Sequence, residues 1–301
     1  MSFIKVLGTI AGLIAILILT QGLAYLGTEI PKWKPQILNY LAFYTIGVQW
    51  ISYLHAGGLF GNQPTEKYYD LIGSLTYLST ICVSLFTISP ISQISARQII
   101  VSVCAAIWAI RLGSFLFYRI HTSGGVDSRF AEIKRDWGRF LIAWTIQGAW
   151  VFITLLSVLV VNQKVNQVPL KIINYVGIGV WVAGFIIEVT ADFQKLLFKK
   201  DPANAGRWID TGLWSVSRHP NYFGEIVIWI GVSLMCIDDF NDVRRLITLC
   251  ISPVFVALLL IFISGIPLLE QKADDRWGES ELYQKYKKNT PVLVPFLKKC
   301  W

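Results

Sequence analysis

Charged residues are scarce in this chain, and their scarcity points to a membrane protein. Only 15% of the 301 residues are Asp, Glu, Lys or Arg, whereas a soluble domain usually carries about 25%. Hydrophobic residues make up 54% of the chain. They fall into long blocks without a charge, which is the pattern of helices that cross a bilayer. The 17 Phe, 12 Tyr and 12 Trp would supply aromatic belts at the membrane surfaces.

Patterns typical of disulfides, metal sites and soluble dinucleotide-binding domains are missing as well. The five cysteines form no C-x-x-C pair, and four lie inside apolar blocks, so neither a disulfide framework nor a metal site is predicted. Gly177, Gly179 and Gly184 hint at a G-x-G-x-x-G fingerprint, but their spacing is wrong and no strand precedes them. Small residues in an apolar helix more simply predict packing between helices.

The apolar blocks predict an all-α fold, a polytopic transmembrane bundle of about eight helices within a range of roughly seven to ten. We treat residues 1–301 as a single membrane domain. Residues 1–139 are expected to line a lipid cavity, and residues 173–301 to form a cofactor-binding half. The blocks span approximately residues 6–27, 38–60, 71–89, 98–118, 140–161, 172–192, 221–237 and 246–269.

The net charge of +8 indicates an orientation rather than a nucleic-acid partner. Most basic residues fall in the loops and the tail on one side of the predicted membrane, so the positive-inside rule places both termini in the cytosol. The chain ends Lys298–Trp301, with lysines at positions 298 and 299. This resembles the dilysine retrieval signal of endoplasmic reticulum membrane proteins, if the protein is eukaryotic. An ordinary basic tail at the lipid headgroups is the alternative.

Ionisable residues within the apolar blocks mark a candidate site. Each costs about 2.5–3.5 kcal/mol at the centre of a membrane helix, so it is expected to face the protein interior or a wet cavity. Helical spacing arranges them as three polar stripes near one membrane surface. A single stripe could be an ion pair that only holds helices together, but three together favour a site. The stripes are Arg111 with Tyr118; Glu188 with Asp192 and Lys195; and Arg218 with Tyr222 and Glu225.

The segment Ala191–Glu225 is polar, basic and aromatic, and it lies between two apolar blocks. Its five cations could bind anionic lipid headgroups, or they could bind the phosphates of a dinucleotide. The amide of Asn221 could read the edge of an adenine or a nicotinamide, and the rings of Trp214 and Tyr222 could stack on a flat ring. The cations are Lys195, Lys199, Lys200, Arg207 and Arg218.

Several motifs carry a resemblance to a known superfamily. Arg218–Glu225 reads RHPNYFGE and resembles the RHPNYxG(D/E) signature of the sterol C14-reductases. Upstream, Asp192–Pro202 is similar to their (N/D)xQKxxFRKxP stretch. In the first half, Trp108–Ile120 and Glu66–Leu78 resemble the DUF1295 proteins, a branch of the steroid 5α-reductase superfamily.

The resemblance implies an NADPH-dependent reductase that acts on a carbon–carbon double bond in a lipid, either steroid- or sterol-like or a fatty enone. A hydride would attack carbon, and an acidic group would protonate the adjacent position. The implied partners are NADPH and a lipid or sterol-like small molecule, with no nucleic acid. The implied cofactor-binding residues are Arg111, Glu188, Asp192, Gln194, Lys195, Arg207, Arg218, His219, Asn221, Tyr222, Glu225, Lys272, Tyr283 and Tyr286.

The chain departs from the steroid 5α-reductases at the catalytic positions. Trp108 stands where those enzymes place a tyrosine near the substrate carbonyl, and an indole cannot donate a phenolic proton. Their catalytic glutamate has no certain counterpart. We therefore take Asp70, Tyr69 and Tyr118 as candidate proton donors, with an anchor at the membrane interface as the alternative role for each.

Two other functions remain open. The isoprenylcysteine carboxyl methyltransferases, which use S-adenosylmethionine, also carry an RHPxYxG element, and Leu268–Glu270 and Trp277–Gly278 match part of their later pattern. A non-catalytic lipid-binding membrane protein is the third interpretation. Asp192–Lys195 and Asn221 favour the reductase. The sequence leaves the substrate and the oligomeric state open.

Overall fold

A computed structural model describes residues 3–28, 37–59, 64–88, 93–122, 127–164 and 168–297. Every regular element within these ranges is helical, so the all-α prediction is confirmed. A π-helical segment at Leu259–Ile263 follows α8. The α-helices are α1 (Phe3–Gly27), α2 (Ile37–His55), α3 (Tyr69–Ile88), α4 (Ala96–Thr122), α5 (Trp137–Asn162), α6 (Ile172–Lys200), α7 (Pro220–Cys236), α8 (Val243–Leu258), α9 (Ile266–Trp277) and α10 (Glu281–Asn289).

Helices occupy all eight predicted blocks, which confirms the polytopic architecture. Six helical segments are long and apolar enough to cross a membrane, and α7 is apolar but shorter. The cytosolic placement of the termini stays a prediction. The predicted block ends at Phe60 and Ser89, and the lysine pair near the C-terminus, lie outside the described residues. The six segments are Lys5–Gly27, Tyr69–Thr87, Ala96–Thr122, Trp137–Asn162, Ile172–Lys200 and Val243–Trp277.

The described residues form two compact units. The first unit comprises residues 1–170 with 236–252, and the second comprises residues 171–235 with 253–301. The functional division expected from the sequence, with a lipid-binding part at 1–139 and a cofactor-binding part at 173–301, stays a prediction.

Helix α5 forms the core of the first unit. Within its apolar window, 89% of the residues are buried, as expected for a helix that is apolar on all sides. It contacts α1, α2, α3 and α4. Asp136 caps its N-terminus by accepting hydrogen bonds from the N–H groups of Gly138 and Arg139. At its other end, Asn162 Nδ2 donates to the hydroxyls of Ser84 and Ser102. These bonds tie α3 and α4 to the central helix.

A buried ion cluster surrounds Asp238 in the first unit. Asp238 is 2% exposed, and its carboxylate lies 2.7 Å from Lys164 Nζ, 3.0 Å from Arg245 Nε and 4.0 Å from Arg97 Nη1. Burial on its own would raise the pKa of Asp238, but the three cations hold the pKa below its ordinary value. The cluster links the start of α4, the end of α5, the segment after α7 and the start of α8.

Close contact between α6 and α7 organises the second unit. A Cβ at Gly224 would lie 2.7 Å from the backbone nitrogen of Glu188, and a Cβ at Gly231 would lie 2.6 Å from that of Trp181. A Cβ at Gly177 or at Gly184 would likewise come too close to the backbone of α7. The two helices therefore meet backbone to backbone, which agrees with the packing role predicted for Gly177 and Gly184. The same prediction is wrong for Gly179, because a Cβ there would meet nothing within 4 Å.

We expect Gly224→Ala to lower the free energy of unfolding by about 2 kcal/mol, because the added methyl group meets backbone atoms that cannot rotate away. Gly179→Ala in α6 is the matched control, since a Cβ there meets nothing within 4 Å. The control should be neutral, or stabilising by up to about 1 kcal/mol through helix propensity. Thermal unfolding of the purified variants in detergent measures both. Equal melting temperatures for the two variants would contradict the packing role.

Candidate functional site

The second unit contains a cavity of about 560 Å³. Its lining comes from the end of α6, the segment 204–219, α9 and α10. Cations and aromatic rings dominate the lining, and Glu270 is the one acidic side chain that the structure places there. The lining cations are Lys195, Lys199, Arg207, Arg218, Lys272 and Arg276. The lining aromatic residues are Phe198, Trp208, Trp214, Trp277, Tyr283 and Tyr286.

Local hydrogen bonds shape the segment between α6 and α7. Gly212 adopts a φ of +60°, and a Cβ there would meet the side-chain amide of Gln194 at 2.5 Å. Gln194 Oε1 accepts a hydrogen bond from the N–H of Leu213 at 3.0 Å. The next residue, Trp214, donates from Nε1 to the carbonyl of Ala191, which lies about one turn before Gln194 in α6. Gln194, a predicted cofactor-binding residue, thus holds the turn next to the cavity.

A compact polar cluster joins the start of α7 to α9. His219 Nε2 lies 2.8 Å from Glu270 Oε1, and Arg218 Nη1 lies 3.0 Å from Glu270 Oε2. Arg218 is 6% exposed and His219 5% exposed. Burial lowers the pKa of His219, although the neighbouring Glu270 carboxylate opposes the shift. Burial therefore favours the neutral imidazole.

Aromatic side chains form one wall of the cavity. The Trp208 ring makes an edge contact with the Tyr283 ring, with centroids 5.1 Å apart. Trp277 Nε1 donates to the carbonyl of Gly206, and the Tyr286 hydroxyl donates to the carbonyl of Trp214. Burial and the charges of nearby acids raise the pKa of Tyr283 to about 12. The wall therefore combines flat apolar surface with neutral phenols, a lining suited to an aromatic ligand ring.

The structure brings half of the predicted cofactor-binding residues to this cavity. Most of the others lie beside it, in α6 or α7. Asn221 Nδ2 donates to Asp192 Oδ1 at 3.1 Å, and the Tyr222 ring stacks on the His219 ring at 5.6 Å. The predicted residues that line the cavity are Lys195, Arg207, Arg218, His219, Lys272, Tyr283 and Tyr286. Those in α6 and α7 that do not line it among the described residues are Glu188, Asp192, Gln194, Asn221, Tyr222 and Glu225.

Arg111 belongs to the first unit rather than to the unit with the cavity. Its guanidinium lies 5.6 Å from the ring centroid of Phe115, within the same helix. This contact is made within one helix and gives no support for a ligand site at Arg111. The cofactor-binding role of Arg111 stays a prediction.

Tyr69, a candidate proton donor, sits in an aromatic cluster of the first unit. Its ring centroid lies 4.6 Å from that of Phe130 and 4.9 Å from that of Trp144. Its hydroxyl donates to the carbonyl of Ala143 at 2.8 Å. These contacts place Tyr69 in the packing of α3 against α5.

Asp70 and Tyr118 have different surroundings. Asp70 Oδ2 lies 3.0 Å from Arg129 Nη2, and Arg129 also binds Asp127. Tyr118 is 44% exposed on α4. The catalytic assignment of Asp70, Tyr69 and Tyr118 stays a prediction.

The sequence interpretation missed a phenol next to Trp108. Trp108 is 0% exposed, and Tyr77 is 3% exposed. The two rings meet edge to face with centroids 5.3 Å apart. A second edge contact joins Tyr77 to Trp150 at 6.2 Å. Tyr77 lies within Glu66–Leu78, but nothing in its spacing pointed to Trp108.

Residues of α9 that line the cavity were also missed as candidates. Glu270, Arg276 and Trp277 line it together with Lys272. Lys272 and Arg276 are four residues apart, and Glu270 and Trp277 are seven apart, so each pair shares a helical face, and this signal was present in the sequence. Trp208 was missed too, although it adjoins the predicted Arg207. No group of three or more His, Cys, Asp or Glu that could hold a metal occurs in the part of the chain that the structure describes.

Curated proteins similar to this chain are steroid and sterol reductases. The 3-oxo-5-alpha-steroid 4-dehydrogenase 1 of Macaca fascicularis is 29% identical over 123 residues, covering 40% of each chain. The human protein of the same name is 27% identical over 123 residues, covering 40% of this chain and 41% of the relative. The Delta(14)-sterol reductase of Arabidopsis thaliana is 28% identical over 103 residues, covering 31% of this chain and 25% of the relative.

The matches span less than half the length of these curated relatives. No solved structure shows significant similarity to the chain. The family model for DUF1295, described as a protein of unknown function, matches residues 59–290. That range includes the whole cavity and most of the predicted membrane helices. Together with the curated relatives, the match confirms the resemblance to the steroid reductase superfamily. The chain belongs to the DUF1295 family.

Proposed function

We propose that this protein is a membrane-embedded oxidoreductase that uses NADPH to reduce a carbon–carbon double bond in a lipid. The observation that carries the proposal is the cavity of the second unit, in which six cations face one carboxylate beside an aromatic wall. Its volume of about 560 Å³ lies within the usual range for cofactor sites, roughly 300–1,000 Å³.

The cations suit the phosphates of a dinucleotide. Arginine binds phosphate oxygens through two parallel hydrogen bonds, and lysine binds them as a point charge. Arg218 is the buried cation among the six, whereas Lys199, Arg207, Lys272 and Arg276 are exposed. A buried cation acts through a low dielectric and is little screened by salt. Arg218 should therefore contribute most to nucleotide affinity.

The aromatic wall suits a flat ring. Trp208 and Trp277 offer ring surface, and Tyr283 stays neutral well above pH 7 because its pKa is raised to about 12. A neutral phenol can donate a hydrogen bond to a ligand oxygen. Together with the cations, these residues fit both the charged and the flat parts of NADPH.

When bound, NADPH would supply the hydride for the reduction. The remaining work belongs to the chain: it orients the lipid and delivers a proton to the carbon next to the hydride acceptor. Asp70, Tyr69 and Tyr118 remain the proposed proton donors. The names of the relatives favour a steroid- or sterol-like substrate, and a fatty enone is the other substrate class that we propose.

Thermal unfolding with added nucleotides tests the cofactor. We expect NADPH in large excess to raise the melting temperature by roughly 5 °C, because a ligand that binds only the folded state stabilises it. S-adenosylmethionine should produce no shift. A shift with S-adenosylmethionine alone would support the methyltransferase interpretation instead. A shift with neither ligand would favour a non-catalytic lipid-binding protein.

Comparing the lipids of cells with and without the protein tests the reaction. Loss of the protein should raise one lipid and lower another that is heavier by two hydrogens, because the reduction adds two hydrogens across the double bond. A catalytically impaired variant that still binds NADPH would serve as the control. Lipid pairs that differ by a methyl group would contradict the reductase assignment.

A further inference from the structure

Two stretches that are far apart in the chain meet at the start of α7. One contains Ser217 and Arg218, and the other follows α10 and contains Pro291 and Leu293. The N–H of Arg218 donates to the carbonyl of Pro291 at 2.9 Å. The hydroxyl of Ser217 donates to the carbonyl of Leu293 at 2.7 Å. The C-terminal stretch therefore holds the backbone from which the Arg218 side chain extends.

The hydroxyl of Ser217 makes a second hydrogen bond, which joins it to the other side of Arg218. It accepts from the N–H of His219 at 3.2 Å. One hydroxyl can donate and accept at the same time, so Ser217 links the C-terminal stretch to the backbone on both sides of Arg218. Ser217 is 0% exposed and does not line the cavity as described. Any effect of Ser217 on a ligand must therefore act through the residues that it holds.

Arg218 is the residue whose placement matters most for the proposed nucleotide site. Its guanidinium lines the cavity and lies 3.0 Å from Glu270 Oε2. Glu270 therefore holds one end of the side chain, while Ser217 and the carbonyl of Pro291 hold the backbone at the other end. An arginine side chain carries about 2 kcal/mol of rotamer entropy. A cation that is already fixed loses less of this entropy when it binds a phosphate, so fixing it raises affinity.

We propose that Ser217 is a positioning residue for nucleotide binding. Its hydroxyl joins the C-terminal stretch at Leu293 to the start of α7 and so fixes the cation of Arg218 for the nucleotide phosphates. The inference rests on the proposed function. Removing the hydroxyl breaks the bonds to Leu293 and His219 together, which frees the backbone around Arg218 while the guanidinium itself stays present.

The test is a double-mutant cycle on the full-length protein in nanodiscs, with NADPH affinity measured by nucleotide fluorescence. Ser217→Ala should weaken NADPH binding by about threefold to tenfold, because two hydrogen bonds that fix Arg218 are lost. In the Arg218→Ala background the same substitution should change affinity by less than about twofold, because no guanidinium is left to position. A residue that only supported the fold would not show this dependence on Arg218.

Ser215→Ala is the matched control. Ser215 lies two residues before Ser217, is exposed, and donates to the carbonyl of Gly212 at 2.7 Å. Its loss should leave NADPH affinity within about twofold of wild type. If Ser217→Ala yields no folded protein, Ser217→Cys takes its place in the cycle, because a thiol of similar size is a weak donor and a weak acceptor.

Several outcomes would overturn the inference while leaving the proposed function intact. One is a Ser217 variant that melts at a lower temperature without nucleotide but binds NADPH as tightly as wild type. Another is equal weakening by the Ser217 variant in the wild-type and Arg218→Ala backgrounds. Equal weakening by Ser215→Ala and the Ser217 variant is a third. Wild type that fails to bind NADPH at all would overturn the proposed function itself, and the inference with it.

Discussion

Replacing Arg218 with alanine should weaken NADPH binding by about 10- to 100-fold. Arg218 is 6% exposed, so its contact with the nucleotide would be a charge-assisted hydrogen bond little screened by water. Such bonds contribute about 1.5–3 kcal/mol, and each 1.4 kcal/mol is about tenfold in affinity. Titration of the purified protein with NADPH, followed by nucleotide fluorescence, measures the change.

Lys272→Ala is the matched control, because Lys272 lines the same cavity and is exposed. An exposed charge is screened, so this variant should lose less than about threefold. Arg218→Ala also removes a partner of Glu270, and unfolding without nucleotide separates that effect from binding. If Arg218→Ala binds NADPH as tightly as wild type while remaining folded, the nucleotide does not use this cavity as proposed.

Replacing Asp238 with asparagine should destabilise the protein by about 3–5 kcal/mol, the usual cost of breaking a buried ion pair. The variant removes the carboxylate that Lys164, Arg245 and Arg97 share, while the cations stay in a buried environment. Thermal unfolding in detergent should show a much lower melting temperature, with little change in the nucleotide affinity of the fraction that stays folded.

The adjacent Asp239 offers a close control. It is exposed and accepts hydrogen bonds from Asn241 within the same turn. Asp239→Asn should change the free energy of unfolding by less than about 0.5 kcal/mol, as surface substitutions usually do. If both variants melt like wild type, the cluster around Asp238 does not hold the first unit together.

Much of the fold followed from the pattern of apolar residues. Lipid offers no partner for backbone polar groups, so an apolar block long enough to cross it must be a helix. Each of the eight predicted blocks contains a helix, although Ser264 and Gly265 interrupt the last block. Helix α2 differs from the others: it is helical over Ile37–His55 but is not among the six segments apolar enough to cross a membrane on their own.

Part of the candidate site was also visible in the sequence. The density of cations and aromatic residues in Ala191–Glu225, and its resemblance to the reductases, pointed to Arg207, Arg218 and His219, which line the cavity. The resemblance did not distinguish residues that face the cavity from residues that support it. Gln194 is an example, because its amide binds the turn at Leu213.

The sequence by itself determined that this protein folds in a membrane, where its helices lie, and which short motif carries its family resemblance. All three depend on local sequence patterns. Only the tertiary structure decided which distant side chains meet. Glu270 is far along the chain from His219, and Asp238 is far from Arg97, so no spacing rule could have paired them. Packing brings them together because a buried charge is stable only beside an opposite charge or a hydrogen-bond partner.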